Sequence, residues 1–151
     1  CELLHAPWND FNLEKGIWHL PAERTKEEQS IAIPLPNLAV EILLELKSYN
    51  THSEFIFPAR KKSNSPTINE STLNKALAPV FNELNVNIHG QRHTAYTLME
   101  MIGIPKDVRE VCLNHRNKAT YGHWKYFEER KQAHQKLADL VVKHLPTSPL
   151  N

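Results

Sequence analysis

"CLNHRNKATYGHWKYFEERKQ", Cys112 to Gln132, places two histidines, His115 and His123, and two tyrosines, Tyr121 and Tyr126, in a strongly polar run. A polar run this rich in aromatics is either a solvated stretch whose tyrosines fill a core or a segment that presents a reactive phenol. The sequence after it reads as a last helix, "FEERKQAHQKLADLVVKHL", with Leu137, Leu140, Val141 and His144 or Leu145 on one side. Before it, "PKDVREVCLNH" reads as a helix with Pro105 in its first turn. "QRHTAYTLMEMIG" reads as a further helix, closed by Gly103 as the residue just past its end.

Further upstream the same reading continues. "TLNKALAPVFNELN" carries an apolar stripe of Leu73, Leu77, Val80, Phe81 and Leu84, capped by Asn69 or Ser71. Pro79 lies inside that stripe and is expected to kink or split the helix. "LAVEILLELKSY" sets Leu38, Ile42 and Leu46 at helical spacing behind Asn37 as N-cap. "GIWHLPAERTKEEQSIAIPL" reads as a β-hairpin: Ile17, Trp18 and Leu20 in one strand, and Ile31, Ile33 and Leu35 alternating in the next. Its highly charged loop must face solvent or a charged ligand. The expected fold is therefore α+β, mostly helical, with a small antiparallel hairpin at one side, in a single domain over residues 1–151.

A chain of 151 residues with 40% hydrophobic and 23% charged residues has the composition of one ordinary globular domain. No apolar run approaches the roughly 18–20 residues that span a bilayer. "CELLHAPWND" has neither a basic start nor a long apolar stretch, so it does not read as a signal peptide, and it lacks an initiator Met. Position 1 is therefore expected to be a cut within a longer chain. The two cysteines, Cys1 and Cys112, have no metal-ligand spacing and suggest a reducing cytoplasm. A net charge of +1 neither favours nor excludes nucleic acid, because a nearly neutral chain can still carry a basic face.

Four features stand apart from the core pattern. Lys26 lies in the hairpin loop, where a solvated turn lysine is the plain alternative. His89 and Arg92, in "HGQR", fall on one face near a helix start, where an anion is already favoured. They would add a titratable base and a bidentate cation there, or else form an ion pair with a glutamate. His115 follows an apolar helix, a position that also suits a partner for the helix dipole. The tyrosines are the fourth. At pH 7 only about one tyrosine in a thousand is ionised, so a tyrosine attacks only beside a base and cations that stabilise the charge formed. Together these residues supply a nucleophile, a base, a general acid and cations, without the carboxylate cluster that would hold Mg²⁺. That set suits metal-free attack on a phosphodiester. His89, His93, His115 and His123 have no metal-ligand spacing, so neither a metal nor another cofactor is expected.

With these residues in view the chain resembles the catalytic domain of the tyrosine recombinases, the phage-integrase family, and within it the prophage and genomic-island integrases. "ELLHAPWNDFNLEKGIWHLPAERTKEEQSIAIPL" is similar to the family's opening segment, and "EFIFPAR" and "LNKAL" to the turn and helix that follow. "IHGQRHTAYTLM" resembles the H-x-x-R helix, "GIPKDVREVCLNH" the segment ending L-x-H, and "YGHWKYFEERKQAHQKLADLV" the closing tyrosine helix.

The resemblance implies site-specific recombination of double-stranded DNA through a 3′-phosphotyrosyl intermediate. Lys26 matches the general acid for the leaving 5′-oxygen. His89 matches a proton-transfer or positioning group, and Arg92 an arginine that clamps the scissile phosphate. His115 matches a histidine that hydrogen-bonds the phosphate. A basic cleft shared by Lys26, Arg92, Arg60, Lys61 and Lys62 would track the backbone. The family implies a tetramer on DNA, the segment after Leu145 docking on a neighbour, and a DNA-associated protein of the bacterial cytoplasm.

The sequence departs from the family in three places. The family's first catalytic arginine would lie upstream of Cys1, so this chain is expected to be weakly active or inactive by itself. The family's N-terminal DNA-binding domain is also absent from it. The step from His115 to the tyrosine is short: Tyr121 is six residues on and Tyr126 eleven. The downstream frame favours Tyr121 as nucleophile, because "YGHWKYFEERK" resembles the family's closing segment, in which the first tyrosine attacks; Tyr126 also sits beside Trp124 and Phe127, in company suited to packing. The alternatives are a degenerate integrase domain that only binds DNA or protein, and a helical binding module whose His and Tyr residues merely pack.

Overall fold

The structure is a computed structural model that describes residues 2–25, 28–50, 52–59, 65–83, 88–114 and 126–145, with only the backbone for residues 88 and 89. Its sheet is antiparallel, in the order β1 (Phe11–Asn12), β2 (Ile17–Leu20), β3 (Ile31–Pro34). The expected hairpin is β2–β3, with Trp18 opposite Ile33 and Leu20 opposite Ile31. β1 is additional, and a two-residue strand is too short for alternation to reveal. It brings Phe11 opposite Trp18, and their rings stack at 5.3 Å. Such a pair contributes about 0.5–1.5 kcal/mol beyond its burial. Gly16 turns the chain between these strands at φ +62°, and the Leu35 amide donates to its carbonyl at 2.7 Å. A Cβ at Gly16 would meet the Leu35 oxygen at 3.3 Å.

One core lies around this sheet. Ala6, Leu43 and Ile56 are buried there, with Trp8, Trp18, Leu35 and Leu46 against them. Leu43 and Leu46 come from α1 (Asn37–Tyr49). Ile42, expected to face inward, is 49% exposed. "LAVEILLEL" is apolar on several sides, so spacing alone does not choose the buried stripe. Pro36, not Asn37, occupies the cap position of α1, and the Asn37 amide donates instead to Gln135 Oε1 at 2.9 Å. In α2 (Glu70–Glu83), Asn69 caps the start by accepting the Ser71 amide at 2.9 Å. α2 runs through Pro79 without splitting. None of its residues is buried, so the bond that proline removes is not lost in a dry core. Leu73, Leu77 and Phe81 are half-buried, Val80 is exposed, and Leu84 lies outside the described residues.

The second core joins α3 (Ile88–Met101), α4 (Lys106–Cys112) and α5 (Phe127–His144) around Met99, Ile104, Val108 and Ala133. Gly103 makes the α3–α4 turn as the sequence predicts, at φ +77°. Its amide donates to Glu100 O at 3.0 Å, and the Ile104 amide reaches back to Met99 O at 2.9 Å. This double closure satisfies two terminal carbonyls and buries Ile104 against Met99. Pro105 stands at the cap of α4, one residue before its first turn. Arg109 of α4 lies over the Tyr96 ring at 4.6 Å and meets Glu100 at 2.7 Å, which ties α4 to α3.

The inward face of α5 differs from the expected one. Arg130, Ala133 and Ala138 are buried, with Leu137 packed beside them, while Val141 and Leu145 are exposed. The reason is the edge of β3. Arg130 Nη1 donates to Ala32 O at 3.1 Å, and His134 Nδ1 bonds Pro34 O at 2.7 Å. Four residues of helix rise about 6 Å and two residues of strand about 6.8 Å, so the two repeats run nearly in step. Pro34 suits this edge position, because it has no amide to leave unsatisfied there.

Two outcomes follow. Nothing lies within 4 Å of a Cβ built at Gly103, so Gly103→Ala isolates the cost of its left-handed backbone. Chemical denaturation should find a loss of about 1 kcal/mol. Burial, opposed by the bond to Pro34 and aided by nearby Arg130, holds His134 below the usual imidazole value. The unfolded chain then binds the extra proton first as pH falls. Stability from this residue is therefore complete above the unfolded pKa, near 6.5, and declines as pH drops toward the lower folded value. Denaturation at pH 5.5 and 7.5 should give a smaller pH difference for His134→Gln than for the unsubstituted chain.

Candidate active site

α4 ends where the chemistry is expected to begin. The Leu113 amide donates to Arg109 O at 3.1 Å and the Asn114 amide to Val111 O at 3.1 Å. Asn114 takes φ +51°, a left-handed conformation that asparagine tolerates better than most side chains. α4 therefore ends at Cys112, and the left-handed Asn114 stands just before His115.

Arg92 reaches this point from the first half of α3. Its Nη2 donates to the Leu113 carbonyl, 21 residues away in sequence. Two motifs separated in the chain, "HGQR" and "LNH", are thus joined by one guanidinium. Arg92 stands exposed at the rim of a cleft of about 190 Å³, whose lining also includes Glu2, Cys112, Asn114 and Arg130. Leu20 and Ile31 supply apolar wall from the sheet. A larger cleft, about 320 Å³, is lined by Asp10, His19 and Ser30 and has no lysine or arginine among its lining residues. The cations meet in the smaller one.

Cys112 is the nucleophilic side chain that the described residues bring to this cleft. Burial pushes its thiol up to about 11, with Arg130 opposing the rise. It therefore stays protonated at pH 7 and unreactive. Burial pulls the Arg130 guanidinium below the ordinary arginine value, again partly offset by Cys112. An arginine nevertheless remains a cation at neutral pH.

Of the residues singled out in the sequence, the structure describes the side chain of Arg92. His89 lies on α3 one turn before Arg92, with only its backbone described. Lys26, His115, Tyr121, Arg60, Lys61 and Lys62 lie outside the described residues. Tyr126 is described: it stands at the start of α5, half-buried, and packs against the Met99–Val108–Ala133 core. The hairpin loop bearing Lys26 is anchored at Thr25, which is buried and whose hydroxyl donates to Ala22 O and accepts from the Gln29 amide. Neighbouring Arg24 pairs with Asp10. Among the described residues no three of His, Cys, Asp or Glu gather as metal ligands. No described helix is long and apolar enough to cross a membrane.

The sequence reading passed over Arg130. Its signal was present: Arg130 falls on the same helical stripe as Ala133, His134, Leu137 and Ala138, where a charge is out of place.

The phage integrase family matches residues 1–132. The chain belongs to that family. It is 35% identical to prophage integrase IntA of Escherichia coli strain K12 over 93% of this chain and 35% of that protein. It is 29% identical to the integrase of Shigella phage Sf6 over 91% of the chain and 37% of the relative. Against the integrase of Enterobacteria phage P4 the identity is 27%, over 93% of the chain and 36% of the relative. The chain thus spans little more than a third of the length of these relatives. No solved structure matches it.

Proposed function

We propose that this chain is the strand-transfer domain of a site-specific DNA recombinase. One observation carries the reading: Arg92 bonds the Leu113 carbonyl, two residues before His115, at the mouth of a cleft lined by a second arginine. An arginine placed by a packed helix offers two parallel donors to a phosphate. Membership of the integrase family supports the same chemistry.

In this reading Tyr121 attacks the scissile phosphorus. The bond from phosphorus to the 5′-oxygen breaks as the new phosphotyrosyl bond forms. Arg92 and His115 hold the non-bridging oxygens as their charge grows. Lys26 gives its proton to the departing 5′-oxygen, the Tyr121 phenol gives up its own proton to His89 or to solvent, and His89 also positions the phosphate. One phosphodiester replaces another, so strands can be rejoined without ATP. Tyr121 is preferred because Tyr126 is engaged in the α3–α5 core and stands at the N-cap of α5. The DNA is double-stranded, and a tetramer on it in the bacterial cytoplasm is the assembly that the family suggests. The family's first phosphate-clamping arginine would lie upstream of Cys1. Losing one such donor typically costs about 10²–10³ in rate, so the chain alone should be weakly active or inactive.

The test uses the chain extended upstream through that arginine and a nicked suicide duplex carrying its recombination site. A covalent protein–DNA adduct should form, disappear in Tyr121→Phe and persist in Tyr126→Phe. Arg92→Ala should slow it by about 10²–10³. The reverse tyrosine pattern would reassign the nucleophile. An adduct that survives both tyrosine changes together would overturn the mechanism.

A further inference from the structure

Arg130 is 3% exposed, yet among the described residues no carboxylate pairs with it. Ala32 O accepts from its Nη1, and its Nε is buried without a hydrogen-bond partner. A guanidinium has five N–H donors, so the described residues take up little of its capacity. A buried, uncompensated charge is costly and ordinarily finds a counter-charge. Arg109 is buried too and its Nε likewise has no hydrogen-bond partner, but it has a counter-charge: it meets Glu100 at 2.7 Å. Arg130 differs in a second respect. It lines the same 190 Å³ cleft as Arg92, and the two arrive from different helices. Glu2, the carboxylate in that lining, is exposed and makes no ion pair with either.

We propose that Arg130 is a second phosphate-binding cation of the Arg92 cleft, its missing counter-charge being supplied by a phosphate group of the substrate. This rests on the reading of the cleft as a phosphate site. Arg92 grips the anion at the rim, while Arg130 provides positive potential from the wall. Its low-dielectric surroundings strengthen that attraction relative to a surface lysine. The bond to Ala32 fixes the guanidinium in place beforehand, so little ordering remains when the anion arrives. α5 thereby does more than pack: it carries a cation into the cleft from the residues just after the tyrosine segment.

The experiment is thermal unfolding of the 151-residue chain in inorganic phosphate and in sodium chloride of equal ionic strength. Phosphate should raise Tm by at least about 2 °C over chloride. Arg130→Gln and Arg92→Gln should each abolish that increment. Arg130→Met, apolar and of similar length, guards against a glutamine variant that fails to fold, and should lose the increment too. Arg130→Lys keeps the charge and should keep the increment. A full phosphate increment in the Gln or Met variant, a loss in the Lys variant, or no increment in the unsubstituted chain would overturn the proposal. Adduct formation on nicked DNA is a separate readout. If it succeeds while the Arg130 variants keep the increment, only the Arg130 assignment falls and the recombinase reading stands.

Discussion

The edge of β3 is the constraint on which the rest of the molecule depends. An edge strand leaves a row of backbone groups without a strand partner, and natural folds must cover it. Here α5 covers it with side chains: Arg130 on Ala32, His134 on Pro34, and Gln135 on the Asn37 amide at the start of α1. Among the described residues the two hydrophobic cores have no member in common, one lying around the sheet and α1, the other among α3, α4 and α5. These side-chain to backbone bonds join them. They also hold α5 against the sheet from Arg130 onward. A cleft between sheet and helices is the geometric result, with Leu20 and Ile31 on one wall and Arg92, Cys112 and Arg130 on the other.

Much of this was legible in the sequence where a single local rule decides the outcome. Gly103 is in place because a left-handed residue must close α3, and α5 begins at Phe127 as its periodicity predicts. The β2–β3 pairing follows from alternation over four residues on each strand. What could not be read was decided by contacts distant in the chain. Asn37 looks like a cap, but Gln135, 98 residues on, takes its amide. The apolar sequence of α1 leaves its buried face open, and the packing around Ala6 and Ile56 selects Leu43 over Ile42. The inward face of α5 holds a buried arginine that hydrophobic spacing alone would reject.

The site divides the same way. Resemblance in the sequence gave Arg92 a partner motif, and the structure gives it a physical one: the Leu113 carbonyl at the end of α4. The left-handed Asn114 ends that helix before His115. Arg130 is hard to read from sequence because its meaning lies in a carboxylate partner that the described residues do not give it. Tyr126 changes in weight as well. Its packing against Met99, Val108 and Ala133 gives it a structural task, which supports the proposal that Tyr121 is the nucleophile.

Peptide mapping of a trapped DNA adduct tests the central claim most directly. Trypsin separates the two tyrosines, with Tyr121 in the peptide Ala119–Lys125 and Tyr126 in Tyr126–Arg130. After nuclease digestion, mass spectrometry should find the residual nucleotide on the first peptide, at Tyr121. A nucleotide on Tyr126–Arg130, or on a residue other than tyrosine, would contradict the account.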